Sequence, residues 1–253
     1  MPTSELAATS FARFSGRFFH LRPANPGGGL PPVIRSWTTW RLRAAAWIVA
    51  LCFAFSVNAK ANSVRINLAD GFDFPVGKPN ADGYYKARGL RLRPPRHYGE
   101  DWNGRKGGDS DLGDPVYAVA DGIVTMAGNM RAGWGNVVLP RHAYRDPSTG
   151  KVKYIDTLNG HLNEITVKTG QQIKRGQKIG TIGSNFGMYP AHLHFEMRHN
   201  ITIGMQRSGV PADLNHWADP TQFINAHRRL NREWRPVNVA TGTYRTYNGV
   251  RGL

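Results

Sequence analysis

Four histidines and one aspartate carry the chemistry that this sequence can do. The run His97-Tyr98-Gly99-Glu100-Asp101 places an imidazole and a carboxylate four residues apart. That spacing falls on one face of a helix or of a strand. Pro94, Pro95 and Gly99 argue against a helix, because proline restricts both its own backbone and that of the residue before it. The motif is therefore expected on an extended segment. In His192-Leu193-His194, the apolar residues Leu193, Phe195 and Met197 alternate with His192, His194 and Glu196. On a strand, this puts both imidazoles on one face and the apolar side chains on the other. His161 follows Gly160 just past what reads as a strand end, where a side chain can overhang a site.

Zinc accounts for such a set economically. It binds imidazole nitrogen and carboxylate oxygen, and a catalytic site uses three protein ligands with a position left for water. His97, Asp101 and one histidine of the His-x-His pair would supply two nitrogens and one oxygen. A closed thiolate site is excluded once the leader is removed, since the single cysteine, Cys52, lies inside the leader's apolar run. No His-Glu-x-x-His helix is present, so the usual glutamate base is missing. A histidine beside the metal is the natural substitute, because its ordinary pKa near 6.5 suits proton transfer. Glu196 reads equally as a hydrogen-bond partner of a ligand histidine or as a surface strand residue. His20, His142, His199, His216 and His227 read as ordinary surface or core histidines.

The elements that must position these groups are short and β-rich, in keeping with 29 glycines and 16 prolines in 253 residues. Val116–Ala120 and Ile123–Ala127 flank Asp121-Gly122 and read as a hairpin. Further strands are expected at Trp134–Leu139, at Lys151–Leu158 after an Asp146–Gly150 turn, and at Ala191–Met197. Val167–Gly183 has closely spaced glycines that fit a compact β meander and do not fit a phosphate loop. Asp219-Pro220 opens a short helix through Ala226. The segment from Asn103 to Asp114, rich in glycine and aspartate, is expected to form a solvated loop near the first motif.

The N-terminal part reads as an export signal. Ala44–Val57 is an apolar run preceded by Arg41 and Arg43 and followed by Val57-Asn58-Ala59, a small-residue cleavage site. The run is short for a membrane span, which needs about 20 residues. Residues 37–59 are therefore expected to be a signal peptide, and a membrane is met only through that segment if it stays uncleaved. Residues 1–36 are expected to be disordered or a mis-annotated extension, with translation starting near Val33. Leu51 before Cys52 is too large for a lipoprotein signal. The chain carries +16, and residues 60–253 carry +11, from 27 basic and 16 acidic residues. Such charge suits an anionic polymer, a membrane or nucleic acid. Export, and the lack of a matching motif, exclude nucleic acid as the partner.

The motifs His97-Tyr-Gly-Glu-Asp-Trp102, Gly113-Asp-Pro-Val-Tyr-Ala-Val-Ala-Asp-Gly122, Gly160-His161 and Ala191-His-Leu-His-Phe-Glu196 together resemble those of the lysostaphin-type, LytM-like zinc endopeptidases that hydrolyse peptidoglycan. The resemblance runs from about His97 to Ile224. It implies an all-β fold: a compact antiparallel β-sandwich, like a barrel-sandwich hybrid, with an open groove. It implies one zinc per chain, with ligands at His97, Asp101 and His194, and catalytic non-ligand histidines at His161 and His192. It further implies that peptidoglycan, in the periplasm or cell wall, is the partner. Residues 60–96 are then an extended lead-in, 97–226 the peptidase domain and 227–253 a basic tail. Two other classes stay in view. One is a non-catalytic wall-binding or amidase-activating module. The other is a lipoyl-like carrier, which would need a lysine displayed at a hairpin tip that this sequence lacks. Both cross-links between stem peptides and glycine bridges are open as the bond that is cut.

Overall fold

The computed structural model describes residues 62–245. The expected signal peptide and the segment before it lie outside the described residues. Among the described residues, twelve strands and one α-helix follow in order: β1 Ser63–Ile66, β2 Tyr84–Arg88, β3 Glu100–Gly104, β4 Pro115–Tyr117, β5 Gly122–Asn129, β6 Asn136–Arg145, β7 Val152–Leu162, β8 Gln172–Ile173, β9 Lys178–Thr181, β10 Leu193–Arg198, β11 Trp217–Ala218, α1 Pro220–Ala226 and β12 Val237–Ala240. Seven strands form one sheet in the order β2-β3-β10-β7-β6-β5-β8, with β11 as an eighth paired to the end of β10. Two two-stranded sheets, β4-β9 and β1-β12, complete the fold. Every strand pair is antiparallel, and the large sheet does not close on itself.

Alternation decides which face of the large sheet is apolar. Leu193, Phe195 and Met197 of β10 point into the main core with Trp102, Val138 and Leu162. The β4-β9 sheet covers that face through Val116 and Ile179. This is the sandwich-like packing that the resemblance implies. On the opposite face, Val137, Leu139 and Leu158 pack with Met205 and Tyr244. Helix α1 begins as expected: Asp219 accepts a hydrogen bond from Gln222 N at 2.9 Å, and Pro220 occupies the first helical turn.

Four sequence expectations need correction. The Asp121-Gly122 pair does not join a hairpin: β4 pairs with β9, and β5 pairs with β6 and β8. The pair makes a bend between sheets, where Asp121 accepts from Arg175 N at 2.8 Å. The expected meander is two separate short strands, β8 and β9, bonded to different sheets. Trp134 is not a strand residue but ends a 3₁₀ turn, Ala132–Trp134, and β6 starts at Asn136. His161 lies within β7, not past its end.

The chain on either side of the expected catalytic region takes part in the same fold. β2 extends the large sheet beside β3, and β1 pairs with β12 from the tail. A buried ion pair fastens this arrangement. Arg141 donates from Nε and Nη2 to Asp156 at 2.6 and 2.8 Å, and both residues are essentially inaccessible. Arg141 also donates to Ile201 O at 2.6 Å and to Ala240 O, while Tyr244 donates to Asp156 at 3.0 Å.

Removing one partner strands the other charge in the interior, at a cost of about 3–5 kcal/mol. Asp156→Ala is therefore expected to lower the unfolding free energy by that amount in urea titration. A change under about 1 kcal/mol would show that the pair does not hold the fold.

Candidate metal centre and groove

The register of β10 assembles the site. His194 lies opposite Asp101 of β3 on one side and Gly160 of β7 on the other. His97 reaches the same place from the segment before β3, anchored by its backbone bridge to Arg91. Gly99 is required between them, because a Cβ there would stand 2.2 Å from Phe195 O. His161 holds a left-handed backbone, φ 61°, as a non-glycine residue. Such a conformation costs about 1–3 kcal/mol and clusters at functional sites. All five expected site residues line one open groove of about 870 Å³.

Three of them converge most tightly. His97 Nε2, Asp101 Oδ1 and His194 Nδ1 lie 3.0, 2.9 and 3.2 Å from one another, taken as His97–Asp101, His194–Asp101 and His97–His194. The outer ring nitrogens determine what the inner ones offer. His97 Nδ1 faces Gly89 O at 2.9 Å, and His194 Nε2 faces Glu196 at 2.9 Å. A carbonyl and a carboxylate only accept, so those outer nitrogens carry the protons. The inner nitrogens then present lone pairs to each other and to a carboxylate oxygen. Such a triangle is stable only with a cation or a proton inside it. Ligands at zinc–nitrogen distances of 2.0–2.1 Å span tetrahedral edges of about 3.3 Å, so these donors fit zinc.

Electrostatics agree with that reading. Burial would raise the Asp101 carboxyl, but with protons inside the triangle the hydrogen bonds from His194 and His97 hold it well below the usual carboxylate range. Burial pulls His194 down, yet its bonds to Asp101 and Glu196 outweigh this and raise it. Burial works against Glu196 ionising, while the Arg198 charge and the His194 bond overcome it and hold its pKa low. Glu196 is fully buried and bonded to a ligand candidate, so it is a partner of His194 and not a surface strand residue.

The other two histidines flank this triangle. His192 Nδ1 faces Pro190 O at 2.8 Å, and its Nε2 stands 3.9 Å from Asp101 Oδ1. His161 Nδ1 faces Trp134 O at 3.2 Å. The rings of His161 and His192 are 4.9 Å apart. Burial, with the nearby His194 and His192, pushes His161 down to about 3, so it is neutral around pH 7. In both residues the outer nitrogen donates to a carbonyl, which leaves Nε2 free to accept a proton.

Trp134 was not anticipated as a site residue. Its indole stacks on His161, at 6.2 Å and 24°, and meets His194 edge-on. The glycines on both sides of it, Gly133 and Gly135, were the available signal for a turn. The Asn103–Asp114 loop is braced rather than freely solvated. Asp111 accepts from Gly104 N, Asp109 from Ala191 N, and Asp114 from the Tyr84 hydroxyl. Among the described residues, only His97, Asp101 and His194 form a metal-capable cluster of three or more such side chains.

Residues 96–205 match the model of peptidase family M23. The chain is 41% identical over 91 residues to the cell division protein DipM of Caulobacter vibrioides, covering 36% of this chain and 14% of that protein. It is 37% identical over 123 residues to the peptidoglycan DD-endopeptidase ShyA of Vibrio cholerae, covering 48% and 26%. It is 36% identical over 104 residues to the murein hydrolase activator NlpD of Escherichia coli, covering 40% and 25%. The chain thus spans about a quarter or less of the length of these relatives.

Two outcomes follow for metal binding. His194→Ala leaves two donors and is expected to abolish zinc retention, whereas His192→Ala keeps all three and should hold about one equivalent by elemental analysis. Equal loss in both variants would show that the division into ligand and base is wrong. Zinc must also displace the proton that the raised pKa of His194 retains. Apparent zinc affinity should therefore fall about tenfold per pH unit below that pKa and level off above it. Chelator competition between pH 5.5 and 8.5 reads this slope; a flat profile would mean that no proton is displaced.

Proposed function

We propose that this chain, whose residues 96–205 are a domain of peptidase family M23, is an exported zinc-dependent endopeptidase acting on the peptide cross-links or bridges of bacterial peptidoglycan. The observation that carries this reading is the inward-facing triangle of His97, Asp101 and His194 with two proton-accepting histidines beside it. A structural metal site would need only the triangle. The extra pair is what hydrolysis requires, and all five groups are present in one open groove.

Zinc held by His97, Asp101 and His194 would supply Lewis-acid polarisation of a peptide carbonyl and make a water more acidic. The protein does the rest. Glu196 and Gly89 O hold the two ligand rings in the tautomers that point lone pairs inward. Of His161 and His192, one accepts the proton of the attacking water at Nε2. The other, as an imidazolium with its proton on Nε2, donates to the carbonyl oxygen as that oxygen gains negative charge, and the leaving amine recovers the proton taken from the water. The +11 charge of residues 60–253 supports attraction to anionic wall polymers.

The likeness to a murein hydrolase activator favours a second reading, an exported module that binds the wall or stimulates an amidase without cutting. Digestion separates the two. Zinc-loaded protein should release peptide fragments from purified peptidoglycan, identified by mass spectrometry on walls with direct cross-links and with glycine bridges. Chelation should abolish release, and added zinc should restore it. His161→Ala and His192→Ala should keep zinc while turnover falls by about 10²–10⁴. No release from either wall type by fully zinc-loaded protein would favour the activator. Full activity in metal-free protein would remove the metallopeptidase altogether.

A further inference from the structure

We infer that the groove recognises a free carboxylate on its peptide substrate, next to the bond presented to the metal site, and that Arg88 and Arg96 are the residues that hold it. This inference rests on the peptidase reading above and names the substrate class for it. Three guanidiniums, Arg88, Arg96 and Arg207, line the same groove as the five site residues. Asp101 is the single carboxylate among the lining residues, and it is committed to His97 and His194. The groove is therefore positive before any divalent ion is counted, and more so with one bound.

The three arginines do different work. Arg207 leans over the rings of Trp134 and Tyr98 at 4.6 and 4.8 Å and reaches Glu196 at 3.2 Å. It belongs to the groove wall. Arg88, at the end of β2, touches Asp101 Oδ2 only at 3.4 Å and keeps 62% of its side chain exposed. Arg96 is exposed and makes no ion pair among the described residues. Both exposed guanidiniums line the groove that holds the metal candidate, and a guanidinium fork suits bidentate capture of a planar carboxylate. A neutral peptide gains nothing from them, whereas an anionic one gains charge-assisted hydrogen bonds in a partly desolvated cleft.

The test uses synthetic peptides in three matched forms: unmodified, C-terminally amidated, and amidated at an acidic side chain. Binding to the zinc-loaded full chain is measured by calorimetry, and hydrolysis is followed in parallel. The unmodified peptide should bind at least about tenfold tighter than one of the amidated forms, the scale of a charged hydrogen bond. Which amidated form loses affinity identifies the carboxylate as terminal or side-chain. In Arg88→Gln and in Arg96→Gln the ratio should shrink toward one, with zinc content unchanged. Equal binding of all three peptides by the native protein would overturn the inference. So would a ratio that persists in both variants, or one that collapses only in samples that have lost zinc. If the carboxylate preference and its loss in the variants hold while no peptide is cut, recognition stands and the peptidase reading falls.

Discussion

The site depends on one constraint, the register of β10 between β3 and β7. With His194 opposite both Asp101 and Gly160, the two ligand candidates on β3 and β10 and the His161 segment of β7 are brought side by side. A slip of one residue would reverse every side chain of β10. Phe195 and Met197 would then enter the groove, while His194, Glu196 and Arg198 would enter the apolar core. The histidine–aspartate cluster and the hydrophobic core thus require the same alignment, from opposite faces of one strand. This consistency explains how a six-residue strand can fix the site's alignment.

The groove face of β10 carries an unusual burden, because His194, Glu196 and Arg198 are all buried. Buried charges destabilise unless paired and hydrogen-bonded. Here Glu196 takes bonds from His194, Arg198 and Arg207, and the chain of contacts ends at the Trp134 and Tyr98 rings. Each member orients the next. The carboxylate determines the His194 tautomer, and the arginines keep that carboxylate ionised. Trp134, whose indole Arg207 covers, offers its backbone carbonyl to His161. His194 and His161 are therefore linked through one set of contacts, while His97 and His192 are held separately by Gly89 O and Pro190 O.

How much of this could be read beforehand follows from what local sequence encodes. Alternation along Ala191–Met197 placed both histidines and Glu196 on one face, because side-chain direction on a strand depends only on parity. The all-β class, the extended setting of His97 and the helix from Pro220 were legible for the same local reasons. Partner choice was not. Asp121-Gly122 specifies a sharp turn, yet nothing in those residues says that β4 will pair with β9, whose strand lies some sixty residues on. Trp134 looked like a strand residue because its aromatic bulk matches strand composition. Its role comes from contact with His161, which is set by the β6-β7 pairing and not by its neighbours in sequence. The bracing acids of the Asn103–Asp114 loop were hidden likewise, since their acceptor roles depend on backbone N–H groups such as that of Ala191.

The segments outside the family match shape the groove as much as those within it. Arg88 comes from β2, which precedes the matched residues and stands at the groove's edge because β2 pairs with β3. On the other wall, the loop that carries Met205 and Arg207 has little regular structure of its own. It is held from beneath by Arg141, which donates to Ile201 O, and from the tail, where Thr243 donates to Ile201 O and Arg245 N to Thr202 O. The tail in turn is fixed by the pairing of β12 with β1 and by the Tyr244 bond to Asp156. The triangle itself leans on the lead-in, since Gly89 O and Arg91 hold His97. The groove walls are likewise positioned by these additions, Arg88 through β2 and the loop carrying Met205 and Arg207 through the tail, while the register of β10 brings Asp101 and His194 together between them.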